Sequence, residues 1–294
     1  MRRLFIIVVL LLNSPLALAA ENKLMVGTYI GLHRPALEDL SEKEFRSPVG
    51  GIADIIVDAG DNRQENFIFN NPLPNLGVGV NAGLEFLWEL SDKYSFIVGG
   101  GTWESTARSL AYGSLYLQGQ AGDFVNERTA KISFNEFYFG LRYNLIRSPK
   151  NFKAYYRLTL NEVFDIDYRE DLIFLFTSGD AEGVKKSIIL ESQATGLLMI
   201  QPGFGVDYSF NDLVSVGIDA SYVIGTRRVT LRDGKSKVDF LDTDNLSLWL
   251  PQRVDPVSGD LQYLSQYPVD NQDYSTMRLS FDGWKLLMRF NVSF

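Results

Sequence analysis

A period of two constrains this chain more than any other feature. Near its end Trp284, Leu286, Met288, Phe290, Val292 and Phe294 are apolar, and Lys285, Arg289, Asn291 and Ser293 lie between them, with Leu287 the one exception. Alternate side chains of a strand point to opposite faces, so this segment has one apolar face and one polar face. The pattern recurs. Residues 78–88 set Val78, Val80, Ala82, Leu84, Phe86 and Trp88 against Gly79, Asn81, Gly83 and Glu85. Residues 137–145 set Phe137, Phe139, Leu141, Tyr143 and Leu145 against Tyr138, Gly140, Arg142 and Asn144, with Glu136 just before them on the polar face. Segments 152–160, 198–210 and 214–224 alternate likewise, and their polar faces carry Lys153, Arg157, Asp207 and Asp219. Segments 24–32 and 94–105 are less regular, because Gly99-Gly100-Gly101 blurs the second. Pro202 lacks an N–H inside a strand, so a bulge is expected there.

The alternation implies eight strands of ~10 residues, the length a tilted strand needs to cross a bilayer. Short polar turns fall at Ser91-Asp92-Lys93, 147–151 and Asn211-Asp212. Long polar segments, about 33–75, 106–130, 165–190 and 226–276, join the other pairs. Short turns on one side and long loops on the other are the rhythm of an outer-membrane barrel. A hairpin hidden in 226–276 would make ten strands.

Residues 1–19 read as a signal peptide: Arg2 and Arg3, the apolar run Leu4 to Leu12, then Ala17-Leu18-Ala19 at the spacing a signal peptidase reads. That leaves 20–294 as one domain. No later segment has the ~18 apolar residues of a membrane helix. An exported chain of this kind belongs to the periplasm or, as a barrel, to the outer membrane.

The final stripe ending on Phe294 resembles the C-terminal strand of bacterial outer-membrane barrels, and the whole mature chain resembles the small outer-membrane barrel family: the OmpA transmembrane domain, OmpX, OmpW and opacity-like proteins. The resemblance implies an all-β fold, an eight-stranded antiparallel transmembrane up-and-down β-barrel with long extracellular loops, in the outer membrane of a Gram-negative bacterium. It also implies that Trp284, Phe290, Val292 and Phe294 act as the assembly signal read by the barrel assembly machinery. Outer-membrane lipids and lipopolysaccharide are the expected partners.

The polar faces carry Glu85, Glu136, Asp207 and Asp219 against Arg142, Arg157, Lys285 and Arg289. An eight-stranded interior is just wide enough to be filled by side chains, so these charges are expected to pair across the lumen. The formal charge of −8 argues against nucleic acid. With no Cys and one His, thiolate sites and multi-His metal sites are excluded. Asp242-Thr243-Asp244-Asn245 lacks the glycine turn and the closing Glu of a calcium loop, and Gly99–Gly101 lacks the Lys-Ser/Thr of a phosphate loop. No metal, cofactor or catalytic residue is expected.

His33 ends the first strand at the rim, with Arg34-Pro35 after it and no Ser nearby. The apolar stretches 52–57, 172–176, 188–190 and 246–250 read as extended strands packed above the membrane. The expected function is a non-enzymatic barrel displaying long acidic loops for surface binding, adhesion or envelope integrity. The alternatives are a narrow OmpW-like channel for small apolar solutes and, third, a lipid acyl hydrolase or transferase using His33.

Overall fold

The computed structural model describes residues 23–41, 66–68, 76–117, 120–146, 151–238, 245–248, 250–253, 261–264, 275–276 and 278–294. The signal segment, the 52–57 stretch and residues 242–244 lie outside them. The strands are β1 (Leu24–Pro35), β2 (Asn66–Ile68), β3 (Gly79–Glu89), β4 (Tyr94–Leu117), β5 (Gln120–Ile146), β6 (Phe152–Phe176), β7 (Lys185–Ala194) and β8 (Leu197–Ser209). They continue with β9 (Val214–Gly225), β10 (Val229–Val238), β11 (Asn245–Leu248), β12 (Leu250–Arg253), β13 (Leu261–Leu264), β14 (Ser275–Thr276), β15 (Arg278–Leu279) and β16 (Gly283–Ser293). A single 3-10 turn, Glu38–Ser41, is the only helical element among the described residues.

The chain is an antiparallel all-β protein. β1 pairs with β3 and with β16. β3 pairs with β4, β4 with β5, and β5 with β6. β6 pairs with β8, β8 with β9, and β9 with β16. At one end the strands meet in tight turns built from side chains. Ser91 Oγ accepts from the Tyr94 N–H at 3.1 Å, and Asn211 Oδ1 accepts from the Leu213 and Val214 N–H groups at 2.9 and 2.8 Å. Such local bonds are why Ser and Asn favour turns.

At the other end the strands outrun the sequence reading. β4, β5 and β6 have 24, 27 and 25 residues rather than about 10, so the expected loops 106–130 and 165–190 are mostly paired strand. The apolar stretches within the second do lie side by side, with Leu172 opposite Ile188 in the β6–β7 ladder. The strands run on past the point where the alternation changes sense, which in the sequence looks like a strand end. On β5 the exposed or half-exposed side is apolar from Leu145 to Phe137 and then polar at Asn135, Ser133, Lys131, Thr129 and Glu127. Its buried side does the reverse: Asn144, Arg142 and Glu136 give way to Phe134, Ile132 and Ala130. β6 inverts alike, from buried Arg157, Thr159 and Asn161 to buried Val163, Ile166 and Leu172.

A line of irregularities marks this inversion. The β5–β6 register shifts between Ser133 and Asn135, opposite Asp165 in the left-handed region (φ 50°). Thr195-Gly196 separate β7 from β8, although both pair with β6. β10 continues beyond β9 but pairs with β7 rather than β8. Segment 226–276 therefore does contain a hairpin, β10–β11, and β10 joins the upper sheet. Across the break Arg227 donates to the Gly196 carbonyl at 2.8 Å, and the Leu37 N–H donates to the Ser280 carbonyl at 2.8 Å.

The bulge expected at Pro202 does not form. Met199 faces Gly225 and, four residues on, Gly203 faces Ser221, so the register is unbroken. On the other side Pro202 stays in step opposite Leu158. An edge of one missing N–H is tolerated without a shift.

Candidate functional site

The buried faces of the lower strands carry a charge cluster. Glu85 comes from β3, Glu136 and Arg142 from β5, Arg157 from β6, Asp207 from β8, Asp219 from β9, and Lys285 and Arg289 from β16. Each lies at an inward phase of its strand, and all eight side chains are almost fully buried. Arg289 reaches Glu85 at 2.7 Å, Asp207 at 3.2 Å and Asp219 at 3.7 Å. Arg157 spans Asp219 at 3.2 Å and Glu85 at 3.3 Å. Arg142 meets Asp207 at 2.5 Å, and Lys285 pairs with Glu136. All eight residues singled out in the sequence are thus ion-paired: Arg142, Arg157 and Arg289 join Glu85, Asp207 and Asp219 in one network, and Lys285 with Glu136 forms a separate pair. Lys153, further toward the tight turns, pairs separately with Glu89 at 2.7 Å.

Neutral groups that were not singled out from the sequence take up part of the remaining valences, while Arg157 Nε, Arg289 Nε, Asp219 Oδ1 and Asn81 Oδ1 are buried without a hydrogen-bond partner. Tyr138 donates to Glu85 at 3.0 Å and Tyr155 to Asp219 at 3.3 Å. Asn81 and Asn161 donate to Glu136 at 3.1 and 3.3 Å, and Asn161 also donates to Gln201 at 2.8 Å. The Arg142 guanidinium lies 3.5 Å from the centre of the Tyr155 ring, a cation–π contact that favours charge in a site without bulk water. Tyr138 and Tyr155 stand on the polar phase of their strands, which was the available signal. The large rings fit because the facing positions are glycine: a Cβ on Gly99 would overlap the Tyr138 ring, and one on Gly101 the Tyr29 hydroxyl. This accounts for Gly99 and Gly101 of the glycine run.

Above the network the buried face becomes apolar. Trp103, Phe134 and Phe281 pack there, with Trp103 and Phe134 stacked at 5.0 Å and Phe134 edge-on to Phe281 at 5.1 Å. Leu37 and Leu40, on and beside the 3-10 turn, are fully buried in the same cluster. His33, placed at the rim in the sequence reading, is instead 1% exposed. Its ring lies 6.0 Å from Trp103 and 6.2 Å from Phe134. It is buried because β1 continues to Pro35 and holds His33 at an inward phase, against the Trp103 and Phe134 rings. Higher still, Arg128 and Glu170 form a buried ion pair, and Tyr168 donates to Glu170 at 2.7 Å.

The opposite face of the lower strands is a belt of exposed apolar side chains. It includes Ile30, Leu32, Leu84, Phe86, Leu141, Leu158, Ile200, Phe204, Ile218, Leu286, Met288 and Phe290. Of the expected assembly residues, Trp284 and Phe294 are 67% and 77% exposed, and Phe290 and Val292 follow the same phase between them. Tyr94 packs on Tyr143 near the tight turns, and Tyr222 packs on Trp284 at the far margin.

No family model matches this chain, and no curated protein matches it. Among solved structures it is similar to the outer membrane protein OprG from Pseudomonas aeruginosa, at 10% identity over 93% of this chain and 96% of that one, with a TM-score of 0.42. It is also similar to the deltaS2 mutant of the TodX monoaromatic hydrocarbon channel, at 10% identity over 95% and 92% of the two chains, with a TM-score of 0.17. For the deltaS2S3 mutant of TodX the values are 10%, 96%, 93% and 0.18.

Proposed function

We propose that the chain is a non-enzymatic outer-membrane protein of a Gram-negative bacterium. In this reading β1, β3, β4, β5, β6, β8, β9 and β16 close an eight-stranded transmembrane barrel whose lumen is sealed, and the strand extension above it presents the working surface. The carrying observation is the opposition of two faces over the same strands: apolar and exposed outside, charged and ion-paired inside. Exposed apolar area of this extent is stable only in contact with lipid or another apolar surface. The β5 stripe from Leu145 to Phe137 covers eight residue steps, about 27 Å along the strand. At a barrel tilt near 40° that is a height of about 20 Å, close to the ~25 Å apolar band of such barrels.

The paired charges and the apolar cluster above them occupy the space a pore needs. That favours a surface role, in binding, adhesion or envelope integrity, over a narrow channel for apolar solutes. It also sets His33 among aromatic rings, away from solvent, which disfavours lipid hydrolysis or acyl transfer. Lipopolysaccharide, outer-membrane lipids and the barrel assembly machinery are the partners this reading requires.

Two measurements test it. Detergent-solubilised protein should migrate differently on gels before and after boiling, and identical migration with recovery in the periplasmic fraction would overturn the barrel. Purified protein in a planar bilayer should be electrically silent. Reproducible single-channel steps would reject the sealed lumen in favour of the channel.

A further inference from the structure

Above the polar rows the outward face of the strand extension turns apolar a second time. On β4 the outward residues run Glu104, Thr106 and Arg108, then Leu110 and Tyr112. On β5 they run Lys131, Thr129 and Glu127, then Val125. On β6 they run Arg169 and Asp171, then Ile173 and Leu175. The ladders set these ends side by side. Tyr112 faces Val125, which faces Leu175, and one row below Leu110 faces Glu127, which faces Ile173. Leu110, Tyr112 and Leu175 are 46%, 49% and 45% exposed. The other face of the same strands, with Phe124 and Phe174, is buried, so the patch is apolar surface in addition to the core.

Lipid does not reach it. Glu127 lies ten residues beyond Phe137, the last apolar residue of the β5 belt. That is about 34 Å along the strand and so about 26 Å above the belt at the tilt used above. The wet face of an antiparallel sheet is normally polar, and a contiguous exposed apolar patch marks an interaction site.

The charges beside the patch point to the partner. In the rows below, the cations are taken: Lys131 pairs with Glu104 at 2.7 Å, and Arg169 with Asp171 and Glu191, both at 2.8 Å. Arg108 and Glu127 are exposed next to Leu110, one along its strand and one across from it. Neither forms an ion pair among the described residues. One surface thus offers a free cation and a free anion around the same leucine. Such a surface complements itself, because in a two-fold contact residue i of one copy meets j of the other and j meets i. Two copies in one membrane stand the same way up, so an axis along the membrane normal beside Leu110 brings Arg108 of each copy to Glu127 of the other.

We infer that a second copy of this chain docks on this patch and forms a symmetric dimer above the membrane. Leu110, Tyr112, Val125, Ile173 and Leu175 supply its apolar centre, and two Arg108–Glu127 pairs between the copies fix its register. The inference rests on the proposed outer-membrane placement, which gives both copies one orientation.

The chain has no cysteine, so one introduced thiol reports the contact. Thr129 faces Arg108 in the ladder and leaves the apolar residues intact. Full-length Thr129→Cys protein in liposomes, treated with a short bifunctional maleimide, should give a species of twice the chain mass. Ile218→Cys, on the apolar belt of β9, should give far less. In the Thr129→Cys background, Arg108→Glu and Glu127→Arg each set like charges face to face, which should cut the yield at least about tenfold. Mixed together, copies with Arg108→Glu and copies with Glu127→Arg regain both attractions. Cross-linking should then return, only between unlike copies, told apart by tags of different mass. Reversals that leave the yield unchanged, unlike copies that do not pair, or an equal yield from Ile218→Cys overturn the inference. In whole outer membranes, an adduct of any mass other than twice the chain makes another protein the occupant and overturns it as well. Gel mobility before and after boiling is read on every sample. Failure to insert fails the barrel reading, whereas inserted protein that stays monomeric fails this inference alone. A reversal that does not fold is replaced by Arg108→Gln, for which a partial loss is expected and full yield counts against the contact.

Discussion

Replacing Arg289 by Met tests the central network most directly. Arg289 is the hub, touching Glu85, Asp207 and Asp219 within 3.7 Å, and its side chain is 1% exposed. Met keeps most of the volume and none of the charge. The variant would hold four buried carboxylates against Arg142, Arg157 and Lys285. Arg142 still serves Asp207 and Lys285 still serves Glu136, but Arg157 must serve both Glu85 and Asp219. One carboxylate is left with half a partner in a site without bulk water. Breaking a buried pair by removing one member costs about 3–5 kcal/mol, mostly the desolvation of the charge left behind. With a urea slope of about 1–3 kcal/mol per molar, the unfolding midpoint in detergent should fall by roughly 1–5 M. Adding Glu85→Gln restores the balance: Arg142–Asp207, Arg157–Asp219 and Lys285–Glu136 remain as three intact pairs, and Tyr138 can still donate to the amide oxygen. The double variant should recover more than half of the loss, a coupling readable as a double-mutant cycle. A single-variant loss under about 1 kcal/mol, or a double variant no better than the single, would refute the claim that these residues act as one balanced network.

Phe294→Asp places a carboxylate at the end of the exposed apolar stripe, where the Phe294 N–H bonds the Leu24 carbonyl at 2.8 Å; on the proposed placement, outer-membrane levels should drop far more than for the same change in an upper loop, measured by fractionation. Gly101→Val drives a branched side chain into the Tyr29 hydroxyl and the Ala82 carbonyl, and should destabilise by about 1–3 kcal/mol in urea unfolding. His33→Ala should leave radiolabelled lipid in vesicles as intact as wild type does, while costing about 1–3 kcal/mol for the space left against Trp103 and Phe134. Lipid turnover by the wild type that this change abolishes would revive an enzymatic reading.

Much of this was legible in the sequence where one face of a strand is apolar and the other charged. The two-residue period placed Glu85, Glu136, Arg142, Arg157, Asp207, Asp219, Lys285 and Arg289 on one side, and the structure brings them together. Which acid meets which base depends on strand stagger, which no single strand encodes. The tyrosine and amide partners were on the right phase but look like ordinary strand residues. His33 was misplaced because its burial comes from Trp103, Phe134 and Phe281, residues 70 to 248 positions further along the chain. The strand lengths were missed for a different reason. Ser133 to Glu127 is polar on the side that had been apolar, so a reading that follows one apolar face sees a loop, although the alternation continues in the opposite sense.

In the proposed barrel that inversion would also set how deep the molecule sits. If such a barrel slid inward by one two-residue period, Asn135 and then Ser133 of β5 would approach the hydrocarbon. A slide of three periods would bring Lys131, along with Asp167 and Arg169 on β6, to its edge. Charged lipid-facing groups cost about 0–1 kcal/mol near the interface and up to about 2–4 kcal/mol for Arg or Lys at the midplane, so the penalty rises with every row. Sliding outward instead would expose Phe137 and Phe139 to water at about 25 cal/mol per Å² of apolar surface. The buried faces resist neither movement, because they travel with the strands. They decide something else: below the inversion a balanced polar interior lets the outside be apolar, and above it the packing of Phe134, Ile132, Val163 and Ile166 lets the outside be wet.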